Sequence, residues 1–139
     1  MILLDTNVVS ELMRQVPEPK VLAWLDHLPV DDVWICAITA GEIRLGLALL
    51  PDGKRRARLD RLAEAMFRED FSGRCLPYDM LAAAEYAEIV ATRTRAGRPI
   101  SVEDAQIAAI ALSAGLTLAT RNTKDFSDIS ELPLVDPWS

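Results

Sequence analysis

Four acidic residues of this chain lie where the sequence pattern changes from a strand or turn to a helix; these are Asp5, Glu42, Asp104 and Asp125. In an α/β sheet such positions gather along one edge, beyond the carboxyl ends of the strands, where ligands bind. Carboxylates that are brought together repel one another and stay ionised only near a positive charge. A divalent cation with oxygen ligands supplies that charge. The pattern therefore predicts a metal-dependent hydrolase.

The first two of these residues could instead cap helices. Asp5, Thr6 and Asn7 could each cap the first helix, but Thr6 or Asn7 would be sufficient. We therefore expect the Asp5 carboxylate to be free for a ligand. The segment from Thr39 to Glu42 has the form of a capping box, in which Glu42 folds back onto the Thr39 amide. Considered alone, Glu42 is more often a cap than a metal ligand.

The other two acidic residues have structural alternatives as well. Asp104 lies three residues after Ser101, the predicted cap of a helix that is otherwise apolar nearly all round, so it could be the acid of a capping box, although Glu or Gln is preferred there. A carboxylate beside a buried helix is costly without a partner, which favours a ligand role. Asp125 follows a predicted strand and could belong to an ordinary polar loop. The sequence leaves open whether Asn122, Asp125 or neither faces the metal.

Short apolar strands alternate with helices along the whole chain. The predicted strands are residues 2–4, 33–36, 116–119 and 134–135, and the predicted helices are residues 7–13, 21–28, 39–50, 54–67, 80–95 and 101–115. Continuous apolar strands between helices indicate a parallel sheet that is covered by helices on both faces. We therefore predict a single α/β domain over residues 1–139, with a short, twisted, mostly parallel sheet.

The composition argues against several other function classes. The only histidine is His27, and Cys36 and Cys75 lie far apart without a CxxC motif. Ser-His and Cys-His catalysis are therefore excluded, a zinc site is disfavoured, and both thiols are expected to be buried. The net charge of −6 argues against a purely electrostatic DNA-binding module. No apolar run approaches the roughly 20 residues that cross a bilayer, so we expect a cytoplasmic protein that does not bind membranes.

Basic residues concentrate in two helical segments despite the acidic total. One segment contains Lys54, Arg55, Arg56, Arg58 and Arg61, and the other contains Arg93, Arg95 and Arg98. Both clusters could be solvated helix faces. They could also contact a phosphate backbone beside the acidic pocket, because Lys and Arg side chains make such contacts.

Ordered motifs along the full chain resemble those of the PIN-domain ribonucleases, and specifically the VapC toxins of bacterial toxin–antitoxin pairs. The motifs are Leu4-Asp5-Thr6-Asn7-Val8 with Ser10-Glu11, Ala37-Ile38-Thr39 through Glu42 with Arg44-Leu45-Gly46, Asp104 before Ile107-Ala108-Ala109, and Thr120-Arg121-Asn122 before Asp125-Phe126. The segments Trp24-Leu25-Asp26 and Asp136-Pro137-Trp138 are similar to the FitB-like branch of the family.

The resemblance implies a catalytic metal centre. Asp5, Glu42 and Asp104 would surround a Mg²⁺ or Mn²⁺ ion. Asp5 and Asp104 would be direct ligands, and Glu42 would be a ligand or the base for the attacking water. Water activated by the metal would then hydrolyse an RNA phosphodiester.

The fourth motif departs from the commonest family pattern. Asn122 stands where many family members have an aspartate, and Asp125 follows three residues later. An asparagine can still offer a carbonyl oxygen, but it lowers the charge of the site by one. Either residue could serve the fourth position, and the hydroxyls of Thr6 and Thr120 could position a water.

The resemblance also implies partners. A VapB- or FitA-like antitoxin would inhibit the chain, which would form a homodimer and a larger toxin–antitoxin complex. Contact with promoter DNA would be indirect, through the antitoxin. The alternative is a catalytically weak PIN-fold binding module that acts mainly through its antitoxin in promoter DNA binding. A receiver-like phosphoryl acceptor is disfavoured, because Asp5 is followed by Thr6 and not by a second acid.

Overall fold

In a computed structural model, which describes residues 1–139, the chain forms a five-stranded sheet in the order β3-β2-β1-β4-β5. Every strand pair is parallel. The strands are β1 (Ile2–Leu4), β2 (Val33–Cys36), β3 (Cys75–Leu76), β4 (Thr117–Ala119) and β5 (Leu134–Val135). The helices are α1 (Thr6–Leu12), α2 (Pro19–Asp26), α3 (Ala37–Ala48), α4 (Lys54–Ala65), α5 (Met80–Arg95), α6 (Val102–Ala114) and α7 (Thr123–Phe126).

Helices cover both faces of the sheet, as the apolar strands predict. Leu3 of β1 lies opposite Leu118 of β4, and Leu4 lies opposite Ala119. Because successive side chains of a strand point to opposite faces, these two pairs enter separate cores. Leu3 and Leu118 pack with buried residues of α5 and α6, whereas Leu4 and Ala119 pack with buried residues of α1, α3 and α4. The α/β fold predicted from the sequence is confirmed.

The order of the strands places a crevice beyond β1 and β4. From β1 the chain moves outward to β2 and β3, and it then returns to the other side of β1 to form β4 and β5. Ligands of open α/β sheets bind at such a switch point, outside the carboxyl ends of the strands. Asp5 follows β1 and Thr120 follows β4, and the Asp5 amide donates to the Ala119 carbonyl at 3.0 Å. The fold thus brings the residues after these two strands together.

Several local predictions differ from the structure. Helix α3 begins at Ala37, before the predicted cap Thr39, which is fully buried in the first turn. Strand β3, of two residues, and helix α7, of four residues, were not predicted, and four residues are too few to show a helical period. Cys36 is buried but Cys75 is exposed on β3, so the prediction of two buried thiols is wrong for Cys75.

None of the helices is both long enough and apolar enough to cross a lipid bilayer.

Candidate functional site

Asp5 caps α1 and is almost completely buried at the end of β1, with 5 % of its surface exposed. Its Oδ1 accepts a hydrogen bond from the Val8 amide at 3.0 Å. The prediction that Thr6 or Asn7 would be the cap is therefore wrong. The Thr120 side chain is a second hydrogen-bond partner. A carboxylate has two oxygens with about four acceptor positions, so capping does not exhaust the capacity of Asp5.

Asp104, at the start of α6, lies near enough to Asp5 for its charge to raise the pKa of the Asp5 carboxyl. Ser101 caps this helix, as predicted, and accepts from the Asp104 amide at 3.2 Å. Burial raises the pKa of Asp104 above its usual range, and the charges of Asp125 and Glu103 raise it further. Burial also raises the pKa of Asp5, and the Asp104 charge adds to that increase. Both carboxylates are therefore ionised at a cost in free energy.

Glu42 approaches this pair through Thr6. The Thr6 hydroxyl donates to Glu42 Oε1 at 2.6 Å, and its oxygen lies 3.1 Å from Thr39 Oγ1. A hydroxyl has one proton, so Thr39 is the donor to Thr6. Glu42 does not fold back onto the Thr39 amide, and the capping box that the sequence indicated is not formed. Glu42 instead contacts α1 at the residue that follows Asp5.

The fourth motif contributes two polar groups near Asp5 and Asp104. Thr120 is fully buried, and its hydroxyl oxygen accepts from the Asn122 amide at 3.0 Å. The Asp125 amide donates to the Asn122 carbonyl at 3.0 Å, at the start of α7. The Asn122 side chain makes no capping bond, whereas the charge of Asp125 reaches Asp104. The choice between Asn122 and Asp125 for the fourth position stays a prediction.

No cation of the protein neutralises this acidic group. None of the ion pairs in the chain includes Asp5, Glu42, Asp104 or Asp125. No three His, Cys, Asp or Glu side chains lie close enough together to enclose a metal ion. The charge of Asp104 acts on Asp5, and Glu42 is linked to the residue after Asp5 by its hydrogen bond with Thr6. The three carboxylates do not surround a common point.

The chemistry of these residues fits a hard divalent cation. The donors are carboxylate and hydroxyl oxygens, which Mg²⁺ and Mn²⁺ prefer. Mg²⁺ usually takes only one or two carboxylates and keeps several waters, so a pair of carboxylates suffices as direct ligands. Buried carboxylates with raised pKa values and no cationic partner are stabilised by a positive ion.

Arg93 is buried near this region, although the sequence placed it with Arg95 and Arg98 in a surface cluster of basic residues. Its guanidinium donates to the carbonyls of Arg98 and Asp125, at 2.7 Å each, and forms an ion pair with Asp128 at 3.2 Å. Arg98 also pairs with Asp128, at 2.9 Å. The network holds α7, with Asp125, against the end of α5. The detectable signal was the position of Arg93 in the apolar stripe of α5, four residues after the buried Ile89.

Substitution of Arg93 by methionine is expected to lower the free energy of unfolding by about 2–3 kcal/mol, because two carbonyls and one carboxylate lose a charged donor. Urea unfolding of the purified chain measures this change. The matched control is Arg95→Met, since Arg95 is exposed on the same helix and forms no ion pair. A loss of stability that is equal in the two variants would show that the buried network contributes nothing.

Comparison with known proteins gives a consistent set of relatives. The PIN domain model matches residues 2–132. The chain is 44 % identical to the FitB toxin of Neisseria gonorrhoeae, over 99 % of both sequences. It is 40 % identical to the VapC ribonuclease Y4jK of Sinorhizobium fredii, over 99 % of this chain and 98 % of that protein.

A solved structure of FitAB bound to an IR36 DNA fragment contains a chain that is similar in fold as well. It superposes with a TM-score of 0.91 at 43 % identity, and the match covers 100 % of this chain and 96 % of that chain. The resemblance found in the sequence motifs is therefore confirmed over the full length.

Proposed function

The chain belongs to the PIN-domain family, and on that basis we propose that it is a VapC-type endoribonuclease toxin that depends on Mg²⁺ or Mn²⁺. The observation that carries the proposal is the pair Asp5–Asp104, two carboxylates whose pKa values are raised by burial and which have no cationic partner at the switch point of the sheet. Its simplest chemical explanation is a cation site. The relatives that carry the name ribonuclease support RNA as the substrate.

In this proposal each acidic residue has a distinct task. Asp5 and Asp104 hold the cation, and Asp125 adds negative charge beside Asp104. When bound there, a divalent cation would neutralise these carboxylates, polarise the scissile phosphate and make water easier to deprotonate. Thr120 fixes the orientation of Asp5 through their hydrogen bond.

Glu42 is the general base of the proposed reaction. Thr6 holds Oε1 by its 2.6 Å hydrogen bond, which leaves Oε2 to accept a proton from the attacking water. The water oxygen bonds to phosphorus, and the bond from phosphorus to the leaving ribose oxygen breaks. The leaving oxygen takes up a proton from solvent, and Glu42 returns to solvent the proton that it accepted. Thr6 therefore acts by positioning Glu42 and not by contact with the phosphate.

We also propose that a VapB- or FitA-like antitoxin inhibits the chain in the cytoplasm. The related FitAB structure is a complex of this kind on DNA. The net charge of −6 argues against a purely electrostatic DNA-binding module, which supports indirect contact with DNA through the antitoxin. The alternative of a catalytically weak binding module depended on Asn122, and the charge of Asp125 beside Asp104 makes that alternative less supported.

The test is cleavage of total cellular RNA by the purified chain with Mg²⁺, with Mn²⁺ and with a chelator. The proposal predicts defined RNA fragments with either metal and none with the chelator. Expression without the antitoxin is expected to arrest growth, and co-expression of the antitoxin gene is expected to restore it. Intact RNA in all three conditions, from folded protein freed of antitoxin, would contradict the proposal.

A further inference from the structure

A cleft of about 660 Å³ opens beside the candidate site, between α1, α3 and α4. Thr6 and Glu42 line one part of it, so it is continuous with the acidic group. Arg14, Arg55 and Arg58 also line it. The remaining lining is largely aliphatic, from Met13, Ile43, Leu47 and Leu59 among others. The cleft thus joins the proposed cation site to a set of arginines over an apolar floor.

Two of these arginines have no partner in the chain. Arg55 and Arg58 are separated by one helical turn on α4, so they lie on the same side of that helix. Neither forms an ion pair, whereas Arg56 between them pairs with Asp52 at 3.2 Å and with Asp60 at 3.8 Å. Two unpaired guanidinium groups that line one cleft are complementary to a polyanion whose negative charges follow one another along a chain.

The third arginine already has a partner. Arg14 pairs with Glu11 at 3.1 Å, and although 65 % of the Arg14 side chain is exposed, Glu11 is buried, with 7 % exposed. Loss of this pair would leave a buried carboxylate without a cation, so the phosphate contacts are assigned to Arg55 and Arg58. Arginine binds phosphate oxygens through two parallel N–H donors, which adds geometric selectivity to the charge.

We propose that this cleft binds the RNA strand next to the scissile phosphate, with Arg55 and Arg58 on backbone phosphates and the aliphatic floor against sugars and bases. This inference rests on the proposed ribonuclease function and adds the path of the substrate. The lining contains no aromatic side chain, so bases have no stacking platform here. The cleft therefore contributes to affinity mainly through the RNA backbone.

Gly46 provides a way to block the cleft without removing a charge. It lies in α3 and lines the cleft, and a Cβ atom built on it meets no atom within 4 Å. Because glycine is less favourable than leucine inside a helix, Gly46→Leu is expected to fold at least as well as the original chain. The leucine side chain would occupy the space that the strand needs.

The experiment measures binding of a fluorescein-labelled oligouridine by anisotropy in the presence of a chelator, at several salt concentrations. The double variant Arg55→Gln/Arg58→Gln is expected to bind at least about tenfold more weakly, and the slope of log affinity against log salt should fall by about 1.4 for two lost phosphate contacts. Gly46→Leu is expected to weaken binding several-fold with all arginines present. The control Arg61→Gln/Arg95→Gln removes the same charge from exposed residues outside the cleft.

The outcomes separate this inference from the proposed function. If the original chain cleaves RNA with metal while both cleft variants bind and cleave RNA as it does, only the path of the RNA is wrong. If the control Arg61→Gln/Arg95→Gln loses as much affinity as the cleft variant, the effect comes from net charge alone and the inference is overturned. Normal RNA binding combined with loss of antitoxin inhibition would assign the cleft to a protein segment and would overturn it as well.

Discussion

Replacement of Asp104 by asparagine is expected to lower the rate of metal-dependent RNA cleavage by at least about a hundredfold, which is the scale of losses at metal sites. Asparagine keeps the size of the side chain and the amide that Ser101 caps. It removes one of the two negative charges that would hold the cation. The fold should therefore survive while the affinity for Mg²⁺ or Mn²⁺ is lost. Initial cleavage rates at a metal concentration that saturates the original chain measure the effect.

The matched control for this substitution is Glu103→Gln. Glu103 precedes Asp104 in the first turn of α6 but is exposed, and it has no ion pair. The control removes the same charge from almost the same position outside the pocket, and it is expected to change the rate by no more than about threefold. Cleavage by Asp104→Asn at the rate of the control would remove Asp104 from the proposed metal site.

Replacement of Asp5 by asparagine is expected to stabilise the metal-free chain at neutral pH and to abolish its stabilisation by Mn²⁺. Burial raises the pKa of Asp5 above its ordinary value of 3.8, so the folded chain binds a proton more tightly than the unfolded chain does. The free energy of unfolding therefore falls as the pH rises from about 3.8 through the raised pKa, and Asp104 contributes in the same direction. Because an asparagine side chain does not ionise, Asp5→Asn removes the part of this fall that the Asp5 carboxylate causes.

In the presence of metal, Asp5→Asn is expected to lower the stability of the chain relative to the original, which is opposite to its effect on the metal-free chain. A cation that binds only the folded chain stabilises it by about 2.7 kcal/mol at a concentration one hundred times its Kd, and Asp5→Asn should lose this gain. Thermal unfolding between pH 4 and pH 8, with chelator and with Mn²⁺, measures both effects. At neutral pH the variant should have the higher Tm with chelator and the lower Tm with Mn²⁺.

Asp79 offers a matched control for the exchange of a capping residue. It caps α5 as Asp5 caps α1, with Oδ1 accepting from the Ala82 amide at 2.9 Å, but it is exposed. Because asparagine is as good a cap as aspartate, Asp79→Asn should leave the response to Mn²⁺ unchanged. A Mn²⁺ response in Asp5→Asn as large as in Asp79→Asn would show that Asp5 does not hold the cation.

The regular elements of the fold could be predicted because their signals are local. Continuous apolar runs marked β1, β2 and β4, and the Ser101 and Asp79 caps marked α6 and α5. Helix α7 was missed because four residues are too few to show a helical period, and strand β3 was missed although β5, which is equally short, was predicted. The parallel arrangement of the strands then followed from the general behaviour of α/β sheets, in which helices return the chain to the same edge.

The contacts within the site could not be predicted because they join distant parts of the chain. Thr39 to Glu42 has the local form of a capping box, but Glu42 binds Thr6, which lies 36 residues away in sequence. A contact between α1 and α3 decided that outcome, and no local pattern records it. The burial of Arg93 is a similar case, since its partners Asp125 and Asp128 follow 32 and 35 residues later. Local sequence patterns predict helices and strands, whereas contacts between distant parts of the chain determine the hydrogen-bond partner of a polar side chain.

Asp5 and Asp104 are proposed to hold one divalent cation at the switch point of the sheet, and the remaining chemistry depends on that ion. The most direct measurement is anomalous X-ray diffraction from crystals of the chain grown with Mn²⁺. We predict one strong anomalous peak in contact with carboxylate oxygens of both Asp5 and Asp104, and no such peak in crystals of Asp5→Asn. A peak elsewhere on the chain, or none at a Mn²⁺ concentration that supports RNA cleavage, would contradict this assignment.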